Sequence, residues 1–114
     1  MDSGDVSIVL VDDHEIVRRG LKSLLKATPG FQVIGEAGSG PDGARCVAEL
    51  RPDLVVTELT MKEASGLEFI RQMRDISPNT KVIVFSLENN EDSILEVMRA
   101  GARAYARPDQ VSLQ

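Results

Sequence analysis

Five short apolar runs alternate with four stretches in which apolar residues recur at helical spacing. This alternation constrains the fold more than any other feature of the chain. The runs are 7–11, 31–35, 54–57, 81–85 and 102–106, the first four rich in valine and isoleucine. Runs of this kind suit strands buried on both faces. Between them, Val17, Leu21, Leu24 and Leu25 share a helical stripe over 14–27. Ser39 or Gly40 caps a second helix with Pro41 at its first position, and Ala44, Val47, Ala48 and Cys46 give its buried side. Leu67, Ile70 and Met73 face inward from a third helix over 66–76. A polar start at 89–92 leads into a fourth, with Ile94, Val97 and Met98 inward and Gly101 closing it. Thr28-Pro29-Gly30, Arg51-Pro52-Asp53 and Ser77-Pro78-Asn79 punctuate the units. Strand and helix in strict alternation mean an α/β fold, a parallel sheet with helices on both faces and right-handed crossovers.

The length of 114 residues fits one domain. Residues 1–6 read as a leader and 7–114 as the domain. The chain stops soon after the fifth strand, so a last helix is expected to be missing or truncated, or to lie beyond the chain end. A formal net charge of −5, with arginine and lysine scattered along the sequence, argues against direct nucleic-acid binding by this domain. No apolar stretch reaches the roughly 18 residues of a membrane helix, and 1–7 lack a signal-peptide pattern. The single Cys46 cannot form an internal disulfide, which fits the cytosol.

Ligands of open parallel sheets bind beyond the carboxyl ends of the strands. Here those ends carry Asp12 and Asp13, Glu58, Ser86 and, near the fifth strand, Arg107. Two carboxylates about 4 Å apart repel by roughly 4 kcal/mol at an effective dielectric near 20. Such a cluster calls for a cation or a proton. Mg²⁺ suits it, taking carboxylates, a carbonyl and waters. A guanidinium such as that of Arg107 could neutralise part of the charge instead.

The stretches "IVLVDDHEIVRRGLKSLL" (8–25) and "PDLVVTELTMKEASGLEFI" (52–70) resemble the receiver domain of bacterial two-component response regulators. With "FQVIGEAGSGPDG" (31–43), the chain is similar to receivers of the NarL/FixJ (LuxR-type) class, usually followed by a helix-turn-helix domain. The resemblance implies a flavodoxin-like (CheY-like) doubly wound five-stranded sheet in the order 2-1-3-4-5. It implies a Mg²⁺ site at Asp12, Asp13, Glu58 and the Thr60 carbonyl, with Asp13 the direct ligand. It places Glu58 at the phosphoryl-accepting position, and Ser86 and Tyr105 at the switch positions. Its partners are a histidine kinase, an output domain or a second copy. The contact faces would be the fourth helix with the fifth strand, or the first helix with the last.

Two positions depart from the family pattern. The acceptor is ordinarily aspartate, and here it is Glu58. The usual lysine is absent from "YARPD": its equivalent is Arg107 if one residue is missing, or Pro108 if the alignment is ungapped. The loop also reads Met61-Lys62 where Met-Pro is usual. A glutamate moves the charge outward by about 1.5 Å, and phosphoryl transfer depends on positioning. The expected function is therefore an atypical receiver, phosphorylation-independent and not an enzyme, acting through dimerisation or protein contacts. An Arg107–Glu58 ion pair could lock the pocket. The first rival is an active phosphoacceptor. The second is a nucleotide-binding domain, because Gly38 to Gly43 fit G-x-G-x-x-G and Glu63 follows at the spacing of a ribose acid. His14 reads as a solvent-facing residue that nothing is spaced to join. Cys46, Met61, Met73 and Met98 read as packing.

Overall fold

The computed structural model describes residues 5–61 and 66–108. Its elements are β1 (Val6–Val11), α1 (Glu15–Lys26), β2 (Phe31–Ala37), α2 (Gly40–Leu50), β3 (Leu54–Thr57), α3 (Gly66–Ile76), β4 (Lys81–Phe85), α4 (Glu91–Ala100) and β5 (Ala104–Ala106). All pairings are parallel and the strand order is β2-β1-β3-β4-β5. This is the flavodoxin-like arrangement. β1 begins at Val6, one residue before the expected start and inside the expected leader. β5 is shorter than expected, because the Ala102 amide closes α4 on the Val97 carbonyl instead of joining the sheet. The expectations for a last helix and for Lys62 and Glu63 lie outside the described residues.

The strand order reverses direction once. β1 to β2 steps one way across the sheet, and β2 to β3, β4 and β5 steps the other. With right-handed crossovers, α1 covers one face and α2, α3 and α4 cover the opposite face. Successive strand residues alternate between these faces. Val9, Val11, Val55, Val82 and Val84 pack with Val47, Phe69, Ile70, Met73 and Val97 into the main core. Each such buried side chain contributes roughly 1.5–3 kcal/mol of transfer free energy. The α1 face is thinner. No α1 residue is buried, and Val17 and Leu24 of the expected stripe are 41% exposed.

Caps follow the sequence. The Ser39 hydroxyl accepts from the Asp42 amide, and Asn90 Oδ1 accepts from the amides of Asp92 and Ser93. Within α2 the buried positions are Gly40, Gly43 and Val47, while Ala48 is exposed, against expectation. Gly43 explains the glycine pattern: a Cβ there would sit 2.9 Å from a Val11 methyl and 3.1 Å from Phe69 Cε1. The helix thus approaches the sheet closely at that point. In α3 the inward stripe is Gly66, Phe69, Ile70 and Met73, so Phe69 is the core residue and Leu67 a flank. In α4 the stripe runs through Val97 and Ala100, which turns Met98 outward to 39% exposure.

Candidate functional site

The reversal of strand order opens a crevice at the carboxyl ends of β1 and β3. Asp12 follows β1 directly and is 3% exposed. Its amide donates to the Ala37 carbonyl at 3.0 Å, which extends the β1–β2 ladder and fixes the turn. Asp12 Oδ1 accepts from the His14 amide at 2.7 Å. Arg18, one turn into α1, donates to the Asp12 carbonyl at 2.6 Å and to Glu36 at 3.1 Å. His14 faces solvent as the sequence suggests, but it is not without neighbours. Its ring is 66% exposed, yet Nδ1 lies 3.0 Å from Asp13 Oδ1 and 3.4 Å from Asp12 Oδ1. The strand-to-helix turn folds these three consecutive residues around one point.

Glu58 is fixed to the same rim through its backbone: its amide donates to the Val11 carbonyl at 2.9 Å. Its side chain curls over its own loop. Oε1 accepts from the Leu59 amide at 3.0 Å, from the Thr60 amide at 3.2 Å, and from the Ser86 hydroxyl. Gly66 sits underneath. Its amide donates to the Leu59 carbonyl at 2.7 Å, and a Cβ there would fall 2.5 Å from the Glu58 carbonyl oxygen. The first residue of α3 therefore has to be glycine for the Glu58 loop to keep this path.

Ser86 is 2% exposed, and its amide donates to Ala106 at 3.1 Å, tying it to the end of β5. Its hydroxyl also accepts from the Glu88 amide at 3.2 Å, and the Glu88 carbonyl accepts from the Tyr105 hydroxyl at 2.6 Å. A continuous path thus runs from Glu58 through Ser86 and the Glu88 backbone to Tyr105. Burial raises the Tyr105 pKa above its ordinary 10.0; the Ser86 hydroxyl pulls it down, the charges of Glu88 and Glu58 add to the rise, and Arg107 opposes it. Tyr105 is therefore within electrostatic reach of Glu58 and Arg107 alike. Among the described residues, the His14 ring lies within ion-pair distance of Asp12 and Asp13, and no such contact joins Arg107 to Glu58.

Asp12, Asp13, Glu58, Thr60, Ser86, Tyr105 and Arg107 thus share one edge of the sheet. Their grouping is finer than the sequence implied. Among the described residues, the compact set with ligand atoms within 4.8 Å of one another is Asp12, Asp13 and His14. The Glu58 carboxylate is outside it, and Thr60 enters through its amide on Glu58. Two adjacent carboxylates, one of them buried, suit a hard divalent cation such as Mg²⁺. Asp12 and Asp13 are the residues that would hold it, and the ion would supply charge neutralisation at the rim. Arg18 and Glu88 are not singled out by the sequence, and Gly66 reads there only as the start of the third helix. The position of Glu88 two residues past Ser86 was the available signal for it.

The response regulator receiver domain family matches residues 8–107. The chain belongs to that family. It is a receiver domain of the NarL/LuxR type, a component of two-component signalling. It is 35% identical over 103 residues to the nitrate/nitrite response regulator protein NarL of Escherichia coli K12, covering 90% of this chain and 48% of that protein. It is 40% identical over 101 residues to the transcriptional regulatory protein LiaR of Bacillus subtilis, covering 88% and 47%. The receiver chain therefore spans about half the length of these curated relatives. A LuxR-family response regulator from Aurantimonas superposes with TM-score 0.86 at 33% identity, over 90% of this chain and 74% of that one. The receiver of a NarL from Mycobacterium tuberculosis shares the fold, with TM-score 0.89 at 22% identity, over 94% and 86%. No described helix is long and apolar enough to cross a membrane.

Proposed function

We propose that this domain is an atypical receiver that signals without accepting a phosphoryl group, with autophosphotransfer lost. The supporting observation is the position of Glu58 Oε1. It already gathers two backbone amides and the Ser86 hydroxyl, and through Ser86 and Glu88 it reaches Tyr105. In a receiver that is phosphorylated, an acyl phosphate on a shorter aspartate supplies oxygens further from the backbone. The extra methylene of glutamate carries a carboxylate oxygen outward by about 1.5 Å. Glu58 therefore engages the switch hydroxyl with no added group. A displacement of about 1 Å in a reacting group costs on the order of 10²-fold in rate. The same geometry that holds Ser86 thus works against in-line attack.

The output is contact with another protein surface. LiaR is a transcriptional regulatory protein, and both it and the response regulator NarL are about twice this length. By extension, this receiver controls a DNA-binding output domain or its dimerisation, with Mg²⁺ at Asp12 and Asp13 dispensable for the active arrangement. A histidine kinase is a partner only on the rival reading. Incubation with Mg²⁺ and acetyl phosphate, followed by intact mass, tests this. The expected result is no adduct on the natural chain and an adduct on Glu58→Asp. A phosphoryl adduct on the natural chain that Glu58→Gln abolishes overturns the proposal in favour of an active phosphoacceptor.

A further inference from the structure

The cations that look scattered along the chain are not all scattered in space. Arg74 in the last turn of α3, Lys81 at the first position of β4 and Arg103 just ahead of β5 line one cavity of about 360 Å³. It lies at the amino ends of β4 and β5, across the sheet from the acidic rim. Its apolar floor includes Met73 and Val82, both buried, and Asn79 adds an amide at its edge. No aspartate or glutamate lines it among the described residues.

None of the three cations has an ion-pair partner within 4.0 Å among the described residues, whereas the cations of α1 and α2 that do pair are held by Glu15, Glu36 and Asp42. The acid that feels the Lys81 charge, Asp53, is committed to the amide and hydroxyl of Ser7 at 2.9 and 3.1 Å. Arg74 is held in place. Its Nη2 donates to the Arg99 carbonyl at 2.9 Å, and its guanidinium lies over Gly101, which has no side chain to stand in the way. That contact caps the end of α4 and accounts for Arg74. It does not account for Lys81 or Arg103. The adjoining groove adds Arg71 and Arg99, balanced there by Asp75 and Glu96.

Like charges around one hollow repel, and a bound anion reverses that term. The domain as a whole carries −5 and repels anions at long range, so attraction here has to be local. The cavity is at the small end of ligand sites, which run from about 300 to 1,000 Å³. We propose that it binds a compact multivalent anion, one bearing two or more phosphate or carboxylate groups.

Calorimetric titration of the metal-free protein with pyrophosphate and, separately, with citrate tests the site and tells the two chemistries apart. Saturable one-to-one binding with Kd below about 1 mM is expected for at least one probe. Lys81→Gln with Arg103→Gln should weaken it at least tenfold, and Arg19→Gln, an exposed cation on α1, should leave it unchanged. Circular dichroism establishes that the double variant is folded; if it is not, Arg103→Gln alone should weaken binding at least threefold. Absence of saturable binding for both probes up to about 10 mM, or equal affinity in the folded cavity variant, overturns the proposal.

Discussion

Removing the Ser86 hydroxyl tests whether Glu58 and Ser86 are energetically coupled or merely adjacent. Ser86→Ala deletes a donor to a carboxylate oxygen and an acceptor for the Glu88 amide. A hydrogen bond to a charged group contributes about 1.5–3 kcal/mol, and one between neutral groups about 0.5–1.5. The Glu88 amide is next to exposed residues and recovers its bond from water. The cost of Ser86→Ala should therefore be about 2 kcal/mol. A domain of this size loses about 4 °C of Tm per kcal/mol, which gives a drop of about 8 °C. Glu58→Gln keeps an oxygen for the Leu59 and Thr60 amides but removes the charge. In that background Ser86→Ala should cost only about 1 kcal/mol, leaving a coupling of about 1 kcal/mol. Urea unfolding of the four proteins of the double-mutant cycle measures this. Additivity to within about 0.3 kcal/mol is the behaviour of independent sites, and that result would refute a Glu58–Ser86 linkage.

Two further outcomes follow from the geometry. Gly66→Ala forces a methyl against the Glu58 carbonyl and Leu59 Cα, at 2.5 and 2.7 Å in the present path; overpacking of this kind should cost about 1–3 kcal/mol, and in the Glu58→Asp background it should suppress acetyl-phosphate labelling. Lys22 foremost, with Arg18, holds the Glu36 carboxyl below its ordinary 4.5, against a smaller opposing effect of burial. The folded state thus favours ionised Glu36, so this stabilisation is complete above about pH 4.5 and is lost as pH falls through the folded value. Glu36→Gln should lower Tm by about 2 °C at pH 7, from roughly 0.5 kcal/mol, and should make the acid limb of the Tm–pH curve shallower; an unchanged limb would contradict the assignment.

How much was legible from the chain differs by element. β1, β3 and β4 announce themselves because strands covered on both faces are apolar throughout, and Val55, Val82 and Val84 need no partner to be recognised. The α1 stripe is equally clear in sequence, yet no residue of it is buried, because burial depends on what covers a helix and not on its own period. The sequence passes over Phe69 and places Met98 inward for a related reason. A stripe is defined only to within one position until the neighbouring helix is placed, so in α3 it shifted from Leu67 to Phe69, and in α4 Met98 turned outward. The acids at the strand ends were found because topology alone predicts where they converge. The approach of His14 to Asp12 and Asp13 is not legible as a spacing, because the strand-to-helix turn, rather than a helix or strand period, brings these neighbours together. Gly66 was read as a helix start. Only the approach of α3 to the backbone of Glu58 shows that it shapes the site.

The path from Glu58 to Tyr105 has a consequence for timing. An acyl phosphate hydrolyses, so a signal written that way fades with its own half-life. The oxygen that engages Ser86 here is joined to the backbone through carbon–carbon bonds and has no such clock. On the proposed reading the domain takes its state when it folds and keeps it until it unfolds or is destroyed. Control then passes from a chemical modification to the rates at which the polypeptide is synthesised and degraded.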